Sequence, residues 1–412
     1  MLPITQVPVL IEESYECFRS VFSLHQSKLF QKYLTGLISN PNVTVSFIAG
    51  SFSDGGSQRA LNRFLTEYDW DIQELNKQRL DMLQEDSVTK WNNKGVVCLD
   101  DTLIDKSGEL IPGAGHFYDH SSGCYKHAQN IVTGNYADEG VSYPLGFRQY
   151  FKEDSKEAKQ YGFKTKIVLA CELVTEAVKN GVAADTFVAD SGFMCRELAD
   201  HIESLKKKWV MSAKSDLLVK VRGVFVQLKD YAAQVPKELF LPCEAGGKTY
   251  YVHTRTLFLN CLERKVKVAI SYDNPLLEGE PKFLLSSNQR WERNRILRTY
   301  TLRHFIEAFY RDAKQHLGLG GCQLRKIKGV HRHWMLVFTA YSILKQYVAK
   351  SGLTKKLEET LQTIGDGCRY VNSQILDALV KLVYDLTLQK QKPEQIIQTL
   401  KNTKNHIKTV KA

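Results

Sequence analysis

The chain has 412 residues and a mass of 47.0 kDa, room for two or three packed units at roughly 100–200 residues per domain. Hydrophobic residues at 43% and charged residues at 25% are ordinary globular values and exclude a wholly disordered, collagen-like or coiled-coil chain. Lysine and arginine (56) exceed aspartate and glutamate (45), a formal charge of +11 that suits a polyanionic partner without requiring one.

Residues 15–85 read as helical. Phe18, Val21, Phe22, Leu24, Leu29, Tyr33 and Leu37 keep a helical period, and so do Leu61, Phe64, Leu65, Trp70, Ile72, Leu75 and Leu80. The Gly- and Ser-rich stretch 50–56 between them is expected to be a loop. The apolar run 95–99 predicts a buried strand ending on Asp100 and Asp101. Two β-like stretches, 127–136 and 141–151, flank Asp138–Gly140, a hairpin-turn signal. A helix over 165–180 stops at Gly181, a second strand at 186–189 ends on Asp190, and a further helix covers 196–207. This alternation predicts a mixed α/β core. Residues 209–285 lack helical periodicity and are rich in β-branched and aromatic residues, so they read as an inserted β segment followed by further strands. One long amphipathic helix is expected from Asn294 to His316, an apolar helix over 330–350, and a basic helical tail over 354–412 that carries Lys390, Lys392, Lys401, Lys404, Lys408 and Lys411.

The nine cysteines form no CxxC pair. Most lie in apolar stretches and read as reduced core residues of a cytosolic protein. The N-terminus has no basic segment ahead of its apolar residues, so no signal peptide is expected. The most apolar window, Trp334 to Leu344, is too short and too polar to span a bilayer.

Two features carry chemistry. The first is the pair of strand-end segments VVCLDDT (Asp100, Asp101) and FVADSGF (Asp190). The second is YTLRHFIEAFYRDAK. On one continuous helix, at about 100° per residue, Tyr300, Arg303, Glu307 and Lys314 would fall within about 60° of arc, opposite Leu302, Phe305, Ile306, Phe309 and Ala313. Three carboxylates brought together from two strands and a helix suit a hard divalent cation. Two such ions roughly 4 Å apart activate water and stabilise the leaving oxygen of a phosphodiester. Arg303 and Lys314 suit phosphate. Each residue also has a plainer reading, as a strand-end aspartate or a solvated helix face. Arg290, Arg293, Arg295 and Arg298 form a basic cluster ahead of the helix, open to solvent or DNA. Gly318, Gly320 and Gly321 read as a helix stop. His116, His120 and His127 read as loop and strand residues, and His331–Trp334 as the packed start of a helix.

The spacing Tyr300-x2-Arg303-x3-Glu307-x6-Lys314 resembles the Tyr-Arg-Glu-Lys signature of the insertion-sequence-four-like branch of DDE transposases of bacterial insertion sequences. The LDDT motif and the N-terminal unit resemble a related insertion-sequence group, and the likeness extends over about residues 30–350. The resemblance implies an RNase H-like α/β fold whose mixed sheet is interrupted by a β-rich insertion. It divides the chain into a helical DNA-binding domain (1–88), a core (89–208 and 265–350), an insertion (209–264) and a helical C-terminal region (351–412). It implies Asp100, Asp190 and Glu307 as catalytic metal ligands for Mg2+, with Mn2+ as a substitute. Tyr300, Arg303 and Lys314 would contact DNA near the scissile bond; apart from the resemblance, Arg295 and Arg298 of the basic cluster are expected as further DNA contacts. The family's Asp-x-Thr pattern, with Thr102, favours Asp100 over Asp101, which would face the other side of an extended strand. The implied activity is DNA cleavage at transposon ends bearing inverted repeats, in many members through a hairpin, and strand transfer into target DNA. A homodimer in the bacterial cytoplasm would act on the two ends, associated with the nucleoid when bound and with no membrane involved. Alternatives are an RNase H-like DNA endonuclease without strand transfer, a domesticated DNA-binding protein and, least favoured by the cationic helix face, a two-carboxylate glycosidase.

Overall fold

The computed structural model describes residues 2–120, 122–352 and 361–408. Part of the expected basic tail, including Lys411, lies outside them. Five helices open the chain: α1 (Val9–Tyr15), α2 (Leu24–Ser39), α3 (Val45–Ser51), α4 (Gln58–Thr66) and α5 (Ile72–Gln84). Then come β1 (Val96–Asp105), β2 (Gly115–Asp119), β3 (Cys124–Ala137), β4 (Ser142–Tyr150), α6 (Lys156–Tyr161), α7 (Lys166–Lys179), β5 (Thr186–Ala189), α8 (Arg196–Ser204) and β6 (Lys208–Ala213). The β-rich stretch holds β7 (Leu218–Val221), β8 (Val224–Gln227), α9 (Leu228–Ala233), β9 (Leu241–Ala245), β10 (Lys248–Leu259), β11 (Arg264–Tyr272) and β12 (Lys282–Ser286). The chain closes with α10 (Arg293–Thr301), α11 (His304–His316), α12 (Ile327–Ser351), α13 (Ile364–Leu388) and α14 (Pro393–Lys408). Among the described residues no helix is long and apolar enough to cross a membrane.

The chain folds as two compact units. One gathers Met1–Lys90, Ile104–Gln129 and Phe309–Ala412. The N-terminal helices therefore share a unit with α12–α14, whereas the sequence reading placed 1–88 apart. The reason lies in α12, which is buried on nearly all sides from Val330 to Leu344 and needs apolar faces around it. Phe18, Phe30, Phe64 and Leu65 are likewise sealed. Two buried polar side chains of α12 find partners in this core. The Arg332 guanidinium lies 4.0 Å from the Trp70 ring and donates to the carbonyls of Tyr68 (2.8 Å) and Trp70. His333 sits between the Tyr33 hydroxyl (2.9 Å) and the Gly318 carbonyl (3.0 Å), and burial pushes its pKa down to about 3. The 331–334 segment is thus packed in the interior. In the same unit His116 pairs with His127 across β2 and β3.

The other unit, Trp91–Leu103 and Asn130–Ala308, holds the sheet. Its strand order is β4-β3-β1-β5-β6-β12-β11-β10-β7-β8, with β9 paired on β10. β5 runs parallel to β1, and β6 parallel to β5. This central order is the RNase H-like arrangement. The β3–β4 turn is the expected hairpin, because Asp138 Oδ1 accepts from the amides of Gly140 and Val141 at 2.8 Å. Thr165 caps α7 through the Val168 amide. Arg148 of β4 holds α7 in place through Glu172 (2.9 Å) and Glu176 (2.6 Å).

Three sequence expectations change. β1 does not end at Asp100 and Asp101 but runs on to Asp105, because β3 supplies a hydrogen-bonded neighbour. The inserted β segment extends the same sheet, since β12 pairs with β6 and β11 with β12, and it includes the helix α9. All nine cysteines are free, but Cys124 and Cys261 are exposed rather than core residues.

Gly318 closes α11 at φ +65°, where a Cβ would stand 2.3 Å from the Val43 side chain. Gly318→Ala is expected to destabilise the protein by about 2–4 kcal/mol, the left-handed backbone and the overpacking acting together. A denaturant melt showing a loss under about 0.5 kcal/mol, the size of an ordinary surface substitution, would contradict this.

Candidate active site

The site grows from one strand and one turn. Along β1, Cys98 and Asp100 point to one face of the sheet and Asp101 to the other, because side chains alternate. The Cys98 thiol lies 3.6 Å from the Leu302 carbonyl, which ties the Leu302–Arg303 turn over the Asp100 face.

That turn is where the expected single helix breaks. Arg303 N donates to the Tyr300 carbonyl (3.0 Å) and Phe305 N to the Leu302 carbonyl (3.2 Å), both three-residue spacings. The Thr301 carbonyl instead meets His304 Nδ1 at 2.6 Å, so a side chain takes the place of a helical amide. Tyr300 therefore sits at the end of α10, Arg303 in the turn, and Glu307 in the first turn of α11. The single 60° stripe does not exist, and Lys314 lies in the part of α11 assigned to the other unit, where Asp105, Asp119 and Lys126 act on it.

Packing fixes α10. Trp291, Ile296 and Leu297 are buried against Val210, Val252, Ala269 and Leu284 of the sheet, with Tyr300 packed alongside. Burial of each large apolar side chain is worth about 1.5–3 kcal/mol. Tyr300 also hydrogen-bonds Ser212, and burial raises its phenol pKa. Arg295 stacks over Trp291 at 4.3 Å, and Arg298 Nε donates to the Glu244 carbonyl at 3.3 Å.

The Arg303 guanidinium sits among the acids. Nη1 lies 2.5 Å from Glu307 Oε1 and 3.4 Å from Asp100 Oδ2. Asp100, Glu307 and Asp190 all act to raise the Arg303 pKa. Burial pushes Asp100 up to about 7; Arg303 opposes the shift, and Asp190 and Asp101 add to it. Both partners of the ion pair move upward, but for different reasons: burial is the main cause at Asp100, whereas the surrounding carboxylates outweigh burial at Arg303. Asp190 follows β5, and its Oδ1 accepts from the Gly192 amide at 2.9 Å. Among the described residues no three His, Cys, Asp or Glu side chains are already set around a metal position. The donor set is nevertheless all oxygen, as a hard cation prefers, and the cluster already gathers about a cationic group, Arg303.

Asp101 is partnered separately, with Lys166 Nζ at 2.7 Å and Asn130 Nδ2 at 2.8 Å on the same oxygen. Sequence reasoning missed Lys166 and Asn130, because nothing local links them to β1. It also missed a cavity of about 520 Å³ beside the turn, lined by Gly246, Gly247, Lys248, Arg298, Leu302 and His304. The adjacent glycines were the available signal for the β9–β10 turn, and both adopt positive φ (+56° and +72°).

Comparison with known proteins gives two family matches. Residues 17–234 match the family described as DDE superfamily endonuclease, and residues 152–343 the one described as transposase DDE domain. No curated protein matches the chain. Among solved structures, a chain of the Drosophila P element transposase strand transfer complex is 12% identical, with 54% of this chain and 55% of that chain covered and a TM-score of 0.26. The match spans about half of that transposase chain, and at that score it says nothing further about this one.

The raised Asp100 pKa has a consequence for stability. The folded carboxyl holds its proton up to about pH 7, whereas an unperturbed one releases it near 3.8. Between these values the folded state binds the extra proton, so stability falls as pH rises. In metal-free buffer Asp100→Asn is expected to flatten that slope by up to about 1.4 kcal/mol per pH unit. Urea midpoints across the range check this, and an unchanged slope contradicts it.

Proposed function

The chain belongs to the DDE superfamily of endonucleases, and we propose that it is a transposase cutting DNA at transposon ends and joining those ends to target DNA. The observation that carries this reading is the gathering of Asp100, Asp190 and Glu307 about Arg303, from two strands of one sheet and the helix beside them. Enzymes of this superfamily use divalent metals. Here Asp100, Asp190 and Glu307 would hold them, with Mg2+ proposed and Mn2+ as its substitute. When bound, such ions supply water activation and stabilise the leaving oxygen of a phosphodiester.

The chain's own residues do the rest. Arg303 holds the carboxylates together against their mutual repulsion. Its planar fork suits a phosphate oxygen once the acids have another cation to face. Tyr300, fixed by its packing and by Ser212, marks one wall for the backbone near the scissile bond. Lys314, Arg295 and Arg298 are proposed as further phosphate contacts, which set affinity and salt dependence rather than sequence. Asp101 is not proposed as a ligand, since Lys166 and Asn130 take its Oδ2 on the opposite face of β1. The Tyr-Arg-Glu-Lys spacing supports placement in the insertion-sequence-four-like branch. A homodimer is proposed because two ends must be held while each is cut and joined. A second reading, an endonuclease without strand transfer, is favoured by the description of the family matching residues 17–234.

Glu307→Gln and Asp100→Asn are each expected to lower metal-dependent cleavage of an end-bearing duplex by more than about 100-fold, since even outer-shell partners of metal ligands are worth about 10–100-fold. Duplex binding in metal-free buffer should persist. Cleavage retained in both variants would overturn the assignment of the acids. Normal cleavage of ends with no joining of pre-cut ends would select the endonuclease.

A further inference from the structure

A second cationic surface lies in the sheet unit, away from the acidic cluster. A groove of about 920 Å³ is lined by Lys206, Lys207, Lys208, Lys265 and Arg290, with Glu203 as its only acidic lining residue among those described. Glu203 is already occupied: the Trp209 indole donates to it at 2.8 Å, and Arg264 lies 3.1 Å away. Lys207 and Lys208 share Asp185, at 3.4 and 2.9 Å. Lys206, Lys265 and Arg290 make no ion pair among the described residues, and all three are exposed.

The groove is built rather than incidental. Ser287 Oγ accepts from Trp209 N (3.0 Å) and Ser287 N donates to the Trp209 carbonyl (3.2 Å), clipping the end of β12 to the start of β6. Gln289 Nε2 donates to the Lys265 carbonyl at 3.0 Å, tying the loop that bears Arg290 to β11. Ser287, Asn288, Gln289 and Thr256 supply neutral donors along the same lining.

Strand direction places the groove at the other end of the sheet. β5 and β6 are parallel, with Thr186 level with Lys208 and Ala189 level with Met211. Asp190 follows Ala189, so the lysines that open β6 lie at least three residues, about 10 Å, back along the strands. That is about three base pairs of duplex rise at 3.4 Å each. One phosphate cannot touch both places.

The geometry points to a second binding site for duplex DNA: this groove takes the phosphate backbone of a stretch that is not being cut. The inference rests on the reading of the chain as a DNA-processing enzyme, but it concerns different residues. Five cations from three separate chain segments (206–208, 265 and 290), with hydrogen-bonding side chains on the same lining of a groove of about 920 Å³, suit a run of phosphates better than a single anion.

The test is the salt dependence of binding of the full chain to a fluorescent duplex longer than the acidic site alone requires, in metal-free buffer. Lys265→Gln combined with Arg290→Gln removes two unpaired, exposed cations and should leave the fold intact. The slope of log K against log salt is expected to become shallower by about 1.8, two contacts at about 0.9 each. Metal-dependent cleavage of a short end duplex at saturating protein is expected to be unchanged. An unmodified protein that binds the duplex with the same slope as the double variant overturns the groove and leaves the active-site reading standing. Weakened binding of single-stranded RNA with unaltered duplex binding also overturns it. Loss of cleavage in Asp100→Asn without any change in salt slope marks the two sites as separate.

Discussion

A carboxylate removed from water must find compensating charge or give up its own. Asp100 lies on a sheet face, largely covered, with Asp190 nearby and Glu307 facing it across Arg303. One guanidinium serves all three acids, and most of the local architecture keeps it there. The Cys98–Leu302 contact holds the turn, α10 packs beneath it, and the bond between His304 and the Thr301 carbonyl interrupts the helix at the point that lets Arg303 reach down. Breaking a mostly buried ion pair by removing one partner costs about 3–5 kcal/mol. The arrangement is therefore structural as well as chemical, and any cation entering the cluster competes with a group already in place.

The sheet explains why the acids converge at all. β1 and β5 are adjacent and parallel, so chain segments ninety residues apart in number, at Asp100 and Asp190, emerge side by side. The β-rich segment between Asp190 and Glu307 widens this sheet instead of forming a body apart. Its strands give α10 an apolar bed, and α10 in turn delivers the turn and Glu307. At the opposite strand ends, Lys206–Lys208 at the start of β6 meet Lys265 of the widened part along one groove. The acids thus gather at one end of the sheet, and Lys206, Lys265 and Arg290, which make no ion pair among the described residues, stand at the other.

Much of this was legible in the residues. The hairpin at Asp138 follows from an aspartate two residues ahead of Gly140, and the separation of Asp100 from Asp101 follows from strand alternation alone. Asp190 after the short strand-like run Thr186–Ala189 was equally readable. The helix break was not, because Thr301 and His304 carry no local sequence signal of a break, while the bond between them and the three-residue backbone spacings appear only in the folded turn. Lys166 and Asn130 reach Asp101 through pairing and packing across long sequence separations, which local pattern does not encode. The grouping of the N-terminal helices with α12 was hidden for the same reason: an apolar helix announces that it will be buried, but not by what.

By itself the sequence determined the kinds of element, the face each acid would take on its strand and the excess of positive charge, since all of these depend on residue type and short spacing. Tertiary structure alone decided that Arg303 stands among the carboxylates, that the stretch from Asn294 to His316 is two helices, and that five cations line one groove. Those facts depend on which strands lie side by side and which carbonyl a distant side chain can reach, and such distances exist only once the chain has closed on itself.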